Sequence, residues 1–204
     1  MQRAGGRAEL YESIAKELER AGIAEIRAEL AGDLRGRVLE VGCGTGLNFP
    51  HYPPEAEVTA LEPVDEFRRF AEPRAVAARA RIQICDGDAQ ALPFGDDSFD
   101  AVLSTLVLCS IPDATAALQE IRRVARPAAP VRFLEHVRST RSGVAFAQEM
   151  LNPLWWRFMD GCNLNRRSVE QIEAAGFIID SVREHDLPDW RGRLFPMRVI
   201  RTRR

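Results

Sequence analysis

The residues best suited to chemistry in this chain gather around glycines. Val38-Leu39-Glu40-Val41-Gly42-Cys43-Gly44-Thr45-Gly46 reads as a short apolar strand carrying an acidic residue and running into three glycines at alternate positions. Glycine lacks a Cβ, so it permits both a sharp turn and the close approach of a ligand to the backbone. The spacing G-x-G-x-G departs from the dinucleotide fingerprint G-x-G-x-x-G, whose third glycine packs helix on strand and whose helix N-terminus receives a pyrophosphate. Sixteen positions after Gly46 stands Glu62, at the end of the next apolar run. A carboxylate there can accept hydrogen bonds from both hydroxyls of a ribose. Other chemistry is sparse. His51, His136 and His185 offer no pair at the i, i+4 spacing of a helical metal site. Cys43, Cys85, Cys109 and Cys162 are far apart without a C-x-x-C pairing, so their spacing suggests neither a zinc site nor a disulfide framework, and no metal is expected. No Ser/His/Asp set stands out.

The elements that must position these groups alternate between strand and helix patterns, the signature of an open parallel sheet. Strands are predicted at Arg37 to Val41, Glu57 to Leu61, Arg81 to Cys85, Asp100 to Ser104 (continuing apolar through Leu108), Val131 to Val137, Phe177 to Val182 and Phe195 to Arg201. Leu10, Ile14, Leu18, Ile26 and Leu30 predict amphipathic helix ahead of the first strand. Val64 to Arg79 has helical composition with Pro73 as a break. Asp113 predicts an N-cap for a helix over Ala114 to Val124, and Gly176 closes a helix over Ser168 to Ala175. The expected fold is a Rossmann-like α/β domain: seven strands, mostly parallel, helices on both faces and an antiparallel last strand. Its 204 residues suit one domain, with a helical cap over 1–36 and a lid insertion over 140–167. A net charge of -2 argues against a nucleic-acid partner bound through a basic surface. No apolar run approaches the ~20 residues of a membrane span, and the start lacks the core of a secretory signal. A cytoplasmic protein, monomer or homodimer, is expected.

The wording E-V-G-C-G-T-G resembles motif I of the class I S-adenosylmethionine (SAM) methyltransferases, in which the loop curves under the methionine part of the ligand. Gly87-Asp88-Ala89-Gln90-Ala91-Leu92-Pro93-Phe94, followed by Asp97-Ser98-Phe99-Asp100, adds to the likeness. The resemblance implies SAM as cofactor, with contacts at Glu40, Gly42, Cys43, Gly44, Gly46, Asn48, Glu62, Pro63, Thr105 and Leu106. It also implies that Asp88 and the Ala89 backbone meet the adenine. Five further segments narrow it: Gly46 to Pro53, Thr105 to Ser110, Leu134 to Ser139, Asn152 to Trp156, and Asp160-Gly161-Cys162-Asn163-Leu164-Asn165-Arg166. This set is similar to the methyltransferase-like 7 proteins, the alkyl thiol methyltransferases, and their bacterial relatives. The animal members carry an apolar membrane anchor where this chain has a charged amphipathic segment, so a soluble protein is expected. The usual R-P-G-G turn before the fifth strand is here Arg126-Pro127-Ala128-Ala129-Pro130.

If the family activity carries over, a small hydrophobic thiol receives the methyl group. Alternatives are methylation of oxygen, nitrogen or carbon on a lipid-like or quinone-like molecule, and a non-catalytic SAM-binding regulator. A thiol with a pKa of about 8.5 is a few per cent thiolate at neutral pH, so a base would help. His136, at the end of the fifth strand, and Asp160 are the catalytic candidates, each with a structural alternative. Asn152 and Asn163 are candidate positioning donors for the substrate. Trp155 and Trp156, in a segment rich in Phe, Met and Leu, are candidate walls for an apolar acceptor. Tyr11 is a candidate to close the other side of the cofactor.

Overall fold

The computed structural model describes residues 6–159, 161–185 and 195–204. Its strands are β1 (Gly36–Val41), β2 (Ala56–Leu61), β3 (Arg81–Cys85), β4 (Ala101–Thr105), β5 (Pro130–His136), β6 (Ile178–His185) and β7 (Met197–Arg203). They form one sheet in the order β3-β2-β1-β4-β5-β7-β6. Strands β1 to β5 pair in parallel; β7 is antiparallel to both β5 and β6, so six strands share one direction. The helices are α1 (Gly6–Leu18), α2 (Ala24–Ala31), α3 (Asp65–Ala77), α4 (Ala114–Val124), α5 (Ser142–Phe158) and α6 (Ser168–Ala174). The expected Rossmann-like architecture is therefore present. Among the described residues, no helix is long and apolar enough to cross a membrane.

The strand period of two divides the core between the sheet's faces. Val38, Val58 and Leu103 join Ile23, Ile26 and Leu30 of the N-terminal helical segment on one face. Leu39, Val41, Val102, Val131 and Phe133 meet Leu118 and Ile121 of α4 on the other. This alternation sends Glu40 to the face of Val38, beneath α2, where an apolar residue would be expected. Chain order reverses between β1 and β4, since β1 is followed by β2 on one side and lies against β4 on the other. The carboxyl ends of these strands open the crevice in which such sheets bind ligands.

Four local expectations need correction. Strand β4 does not continue to Leu108: it stops at Thr105, and Leu106 adopts φ 60°. The next two N–H groups, of Val107 and Leu108, go to the Glu135 carboxylate at 3.1 Å each, so they are lost to a ladder. Pro73 does not break α3, which runs on to Ala77. Arg74, one residue later, is held by Glu12 and by the Thr45 carbonyl, and these ties span the missing bond. In α1 the four-residue repeat is not the buried face, for Leu10 and Ile14 are exposed while Ala8 and Ala15 are buried. Strand β6 is longer than expected, reaching His185 through its pairing with β7.

The N-cap of α4 is as predicted: Asp113 Oδ1 accepts from the amides of Thr115 and Ala116, both at 3.0 Å. In the glycine-free turn before β5, Ala128 sits at φ 62°, a left-handed conformation that costs an L-residue roughly 1–2 kcal/mol. Ala128→Gly should relieve this and raise stability by about 1 kcal/mol, the gain reduced by glycine's greater freedom when unfolded. Urea denaturation measures it, and an unchanged or lower midpoint would contradict the strain.

Candidate cofactor and acceptor site

The glycine loop follows β1 directly, with φ of 65° at Gly42, 55° at Gly44 and 83° at Gly46. An added Cβ at Gly42 would lie 2.6 Å from the Val107 side chain, and one at Gly46 2.6 Å from Phe49. At Gly44 it would instead project toward the Tyr11 hydroxyl, 3.6 Å away. The backbone of the loop is thus bare on the side that faces α1. Glu62, buried just past the end of β2, accepts from the Gly44 amide through one oxygen and from the Val64 amide through the other, each at 3.0 Å. Pro63 beside it is exposed.

Helix α1 roofs the loop. The chain turns between α1 and α2 at Gly22, φ 104°, and α1 is pinned to α3. Glu12 pairs with Arg74 at 2.9 and 2.8 Å, the Ala8 amide donates to Glu66, and Tyr11 packs on Phe67 with ring centroids 5.3 Å apart. The Arg74 guanidinium holds the Glu12 carboxyl below its ordinary range, and desolvation lifts the Tyr11 hydroxyl above its own.

Below the loop lies a buried polar network. Arg27 of α2 donates to Glu19 at 2.8 Å and, through one nitrogen, to Asn48 Oδ1 and Thr105 Oγ1 at 2.9 Å each. Asn48 Nδ2 donates to Glu40 Oε1 at 2.9 Å and to Thr105 Oγ1 at 3.0 Å, and the Tyr52 hydroxyl donates to Glu40 Oε2 at 2.8 Å. Burial lifts the Glu40 pKa to about 7 in spite of these donors. Burial likewise pushes the Cys43 thiol up, which makes it inert filler inside the loop. Glu40, Asn48 and Thr105 are therefore in place as the loop's support. Arg27 and Tyr52 belong with them and were not singled out from the sequence. The available signal was Arg27 itself, a charge among Ile23, Ile26 and Leu30.

At the far side of β2, Asp88 is exposed and accepts from both the backbone and the side chain of Gln90, while Ala89 is buried. Both stand at the carboxyl edge of the sheet, as expected.

The other half of the edge is built from β4, β5 and the segment after α5. Glu135 is fully buried and takes two amides of the turn after β4; burial lifts its pKa to about 8. Its second oxygen has no hydrogen-bond partner among the described residues. His136 points Nε2 at Cys162 Sγ, 3.0 Å away, and burial lowers its pKa to about 4. Cys109 lies in the same group. Its hydrogen bond to Cys162 holds the Cys162 thiol below its usual range and raises its own. Asn163 ties these segments together: its amide and its Nδ2 both donate to the Cys109 carbonyl, at 2.8 and 2.9 Å. Asn152 Oδ1 accepts from the Leu164 amide at 2.7 Å. Asn152 and Asn163 thus spend their polar atoms on the 161–164 turn. Asp160 lies outside the described residues. Trp155 packs on Phe195, centroids 4.8 Å apart, whereas Trp156 is half exposed, together with Phe146, Met150, Leu154 and Phe158. The expected apolar wall is therefore divided: Trp155 faces inward, and most of the α5 stripe faces outward. Glu135 and the pairing of Cys109 with Cys162 escaped the sequence reading, because nothing in their spacing brings them together.

The residues present fit an adenosyl sulfonium. A Cβ-free loop, a buried carboxylate that fixes the Gly44 amide and the Tyr11 ring beside Gly44 stand together at this end. A family model described as a methyltransferase domain matches residues 39–133. The thiol S-methyltransferase TMT1A of Homo sapiens is 39% identical over 145 residues, 69% of this chain and 59% of that protein. TMT1B of Homo sapiens is 40% identical over 146 residues, with the same shares. The chain spans about three fifths of the length of these curated relatives. A solved S-adenosylmethionine-dependent methyltransferase from Mesorhizobium loti superposes with a TM-score of 0.66 at 19% identity, covering 90% of this chain and 98% of that one. Sequence, fold and site agree: the chain belongs to the class I SAM-dependent methyltransferases and is similar within them to thiol S-methyltransferases.

Proposed function

We propose that this protein transfers the methyl group of SAM to the sulfur of a small, apolar thiol. The observation that carries the acceptor class is the likeness to thiol S-methyltransferases, which runs over 69% of the chain. Bound SAM supplies a methyl group already activated by its sulfonium. What is asked of the chain is alignment and exclusion of water, worth ~7–11 kcal/mol of a barrier when the reacting atoms are well placed. In this reading the bare backbone at Gly42, Gly44 and Gly46 seats the methionine end, Glu62 receives the ribose hydroxyls and Asp88 with Ala89 meets the adenine. Tyr11 and α1 shield the cofactor from solvent. The acceptor approaches past β4 and β5, where Trp155 supplies an apolar surface. His136 is uncharged at neutral pH, and its Nε2 is engaged by Cys162. It therefore serves this end through Cys162 rather than as a free base.

Glu62→Ala should weaken the binding of SAM and of S-adenosylhomocysteine alike, by about 1.5–3 kcal/mol, because the ribose is common to both and the lost hydrogen bonds are charge-assisted. Calorimetry with each ligand checks this. A loss confined to one of them would place the carboxylate elsewhere on the ligand.

A turnover screen with labelled SAM against alkyl thiols, phenols and amines should find thiols methylated. Phenols or amines turned over while thiols are not would remove the acceptor assignment.

The support beneath the loop predicts a pH dependence. Glu40 is raised from 4.5 to about 7, so between those values the folded chain retains a proton that the unfolded chain has released. Stability contributed by this group is complete below about 4.5 and declines as pH rises toward 7. Glu40→Gln should flatten that decline, as read from urea midpoints across the range; an unchanged slope would show that Glu40 is ionised in the fold.

A further inference from the structure

Three segments bring soft metal-ligating atoms to one point at the carboxyl edge. Cys109 lies in the turn after β4, His136 is the last residue of β5, and Cys162 follows Gly161, whose φ of 82° reverses the chain after α5. Cys109 Sγ, Cys162 Sγ and one His136 ring nitrogen all lie within 4.8 Å of one another. Around a tetrahedral zinc-class ion, bond lengths of about 2.3 Å to sulfur and 2.0–2.1 Å to nitrogen set ligand atoms roughly 3.5–3.8 Å apart. To reach that geometry the 3.0 Å contact between His136 Nε2 and Cys162 Sγ opens by about half an ångström, and the two separations from Cys109 Sγ, each within 4.8 Å, settle to the same range.

The cysteine-bearing segments are fixed independently of any ion. Asn163 donates twice to the Cys109 carbonyl, and Arg166 donates to the Ile111 carbonyl at 2.6 Å. Cys109 and His136 are buried, while Cys162 is only partly buried. Beside them Glu135 buries a carboxylate oxygen that has no partner among the described residues, an arrangement that nearby positive charge would relieve.

We propose that Cys109 Sγ, Cys162 Sγ and His136 Nε2 form a three-ligand site for a thiophilic divalent cation of zinc's class, with a fourth position that takes the acceptor as its thiolate. The second half of this rests on the thiol reading above. Three protein ligands with one open position is the arrangement of catalytic rather than structural zinc, and a soft sulfur donor set favours such ions. Loading the site releases the protons of both cysteines to solvent. Binding of the acceptor forms one sulfur–metal bond and releases the thiol proton in the same way, with no redox change. The site thereby raises the thiolate fraction of a substrate that is mostly protonated at neutral pH. It also discriminates against alcohols and phenols, whose harder oxygen competes less well for such an ion.

The test uses the full chain, reduced and stripped of metal, titrated with cobalt(II) as a spectroscopic stand-in for zinc. One equivalent should produce the intense visible absorption of a tetrahedral cobalt–thiolate centre. The band should vanish in Cys109→Ser/Cys162→Ser and shift in His136→Gln, which keeps both thiols should the double variant fail to fold. An alkyl thiol should then move the band, and the corresponding alcohol should not. Absence of the band in folded, reduced protein, or its persistence in a folded double variant, would overturn the site. A band indifferent to thiol would overturn the open position. Full thiol turnover by the metal-free protein would overturn the metal's role and leave the methyltransferase reading intact; failure to methylate thiols in either state would overturn that reading instead.

Discussion

Three carboxylates buried at one edge of the sheet capture the chain as it leaves a strand, and the crevice depends on them. Glu62 takes the Gly44 amide from the loop after β1, Glu135 takes two amides from the turn after β4, and Glu40 takes the Asn48 and Tyr52 side chains from the segment between. A carboxylate out of water costs several kcal/mol unless donors meet it. Here the donors are the groups whose positions define the site. Remove Glu62 or Glu135 and a loop amide is orphaned; remove Glu40 and the Asn48 and Tyr52 donors lose an acceptor, so loop geometry and fold stability are coupled at this edge.

The same device explains why β4 ends where it does. Four apolar residues beyond Thr105 invite a longer strand, and Leu106 at φ 60° is an unfavourable place to stop one. The Glu135 carboxylate decides the matter by offering better partners to the next two amides. It thereby turns Cys109 back over the sheet edge rather than along β4. Strain at one residue is exchanged for a turn that faces the acceptor end.

What could be read from the sequence follows from the range of the interactions. The glycine loop, the position of Glu62, the Asp113 cap and the succession of strands and helices along the chain obey local rules of dihedral freedom, period and capping, and these were legible. Arg27, which reaches Asn48 and Thr105, and Glu135, which reaches Val107 and Leu108, act across the sheet, and only the topology brings the partners together. The Pro73 reading failed for the same reason. Local propensity predicts a break, and the tertiary hold on Arg74 overrides it. In α1 the apolar repeat pointed to Leu10 and Ile14, but the small residues Ala8 and Ala15 face inward because the helix lies flat over the loop.

The two ends of the crevice are thus built on different principles. At the proposed cofactor end the groups are mostly backbone, shaped by glycine and backed by carboxylates. At the acceptor end the groups are side chains drawn from three segments, soft and largely uncharged. His136 is held neutral there and faces a thiol, so its imidazole is not a free base. Oxygen and amine nucleophiles need their proton removed at a pKa far above neutrality, whereas a thiol begins within about two pH units of it. In the proposed reading, two sulfurs and a neutral imidazole at this end are matched to the acceptor that asks least of a base.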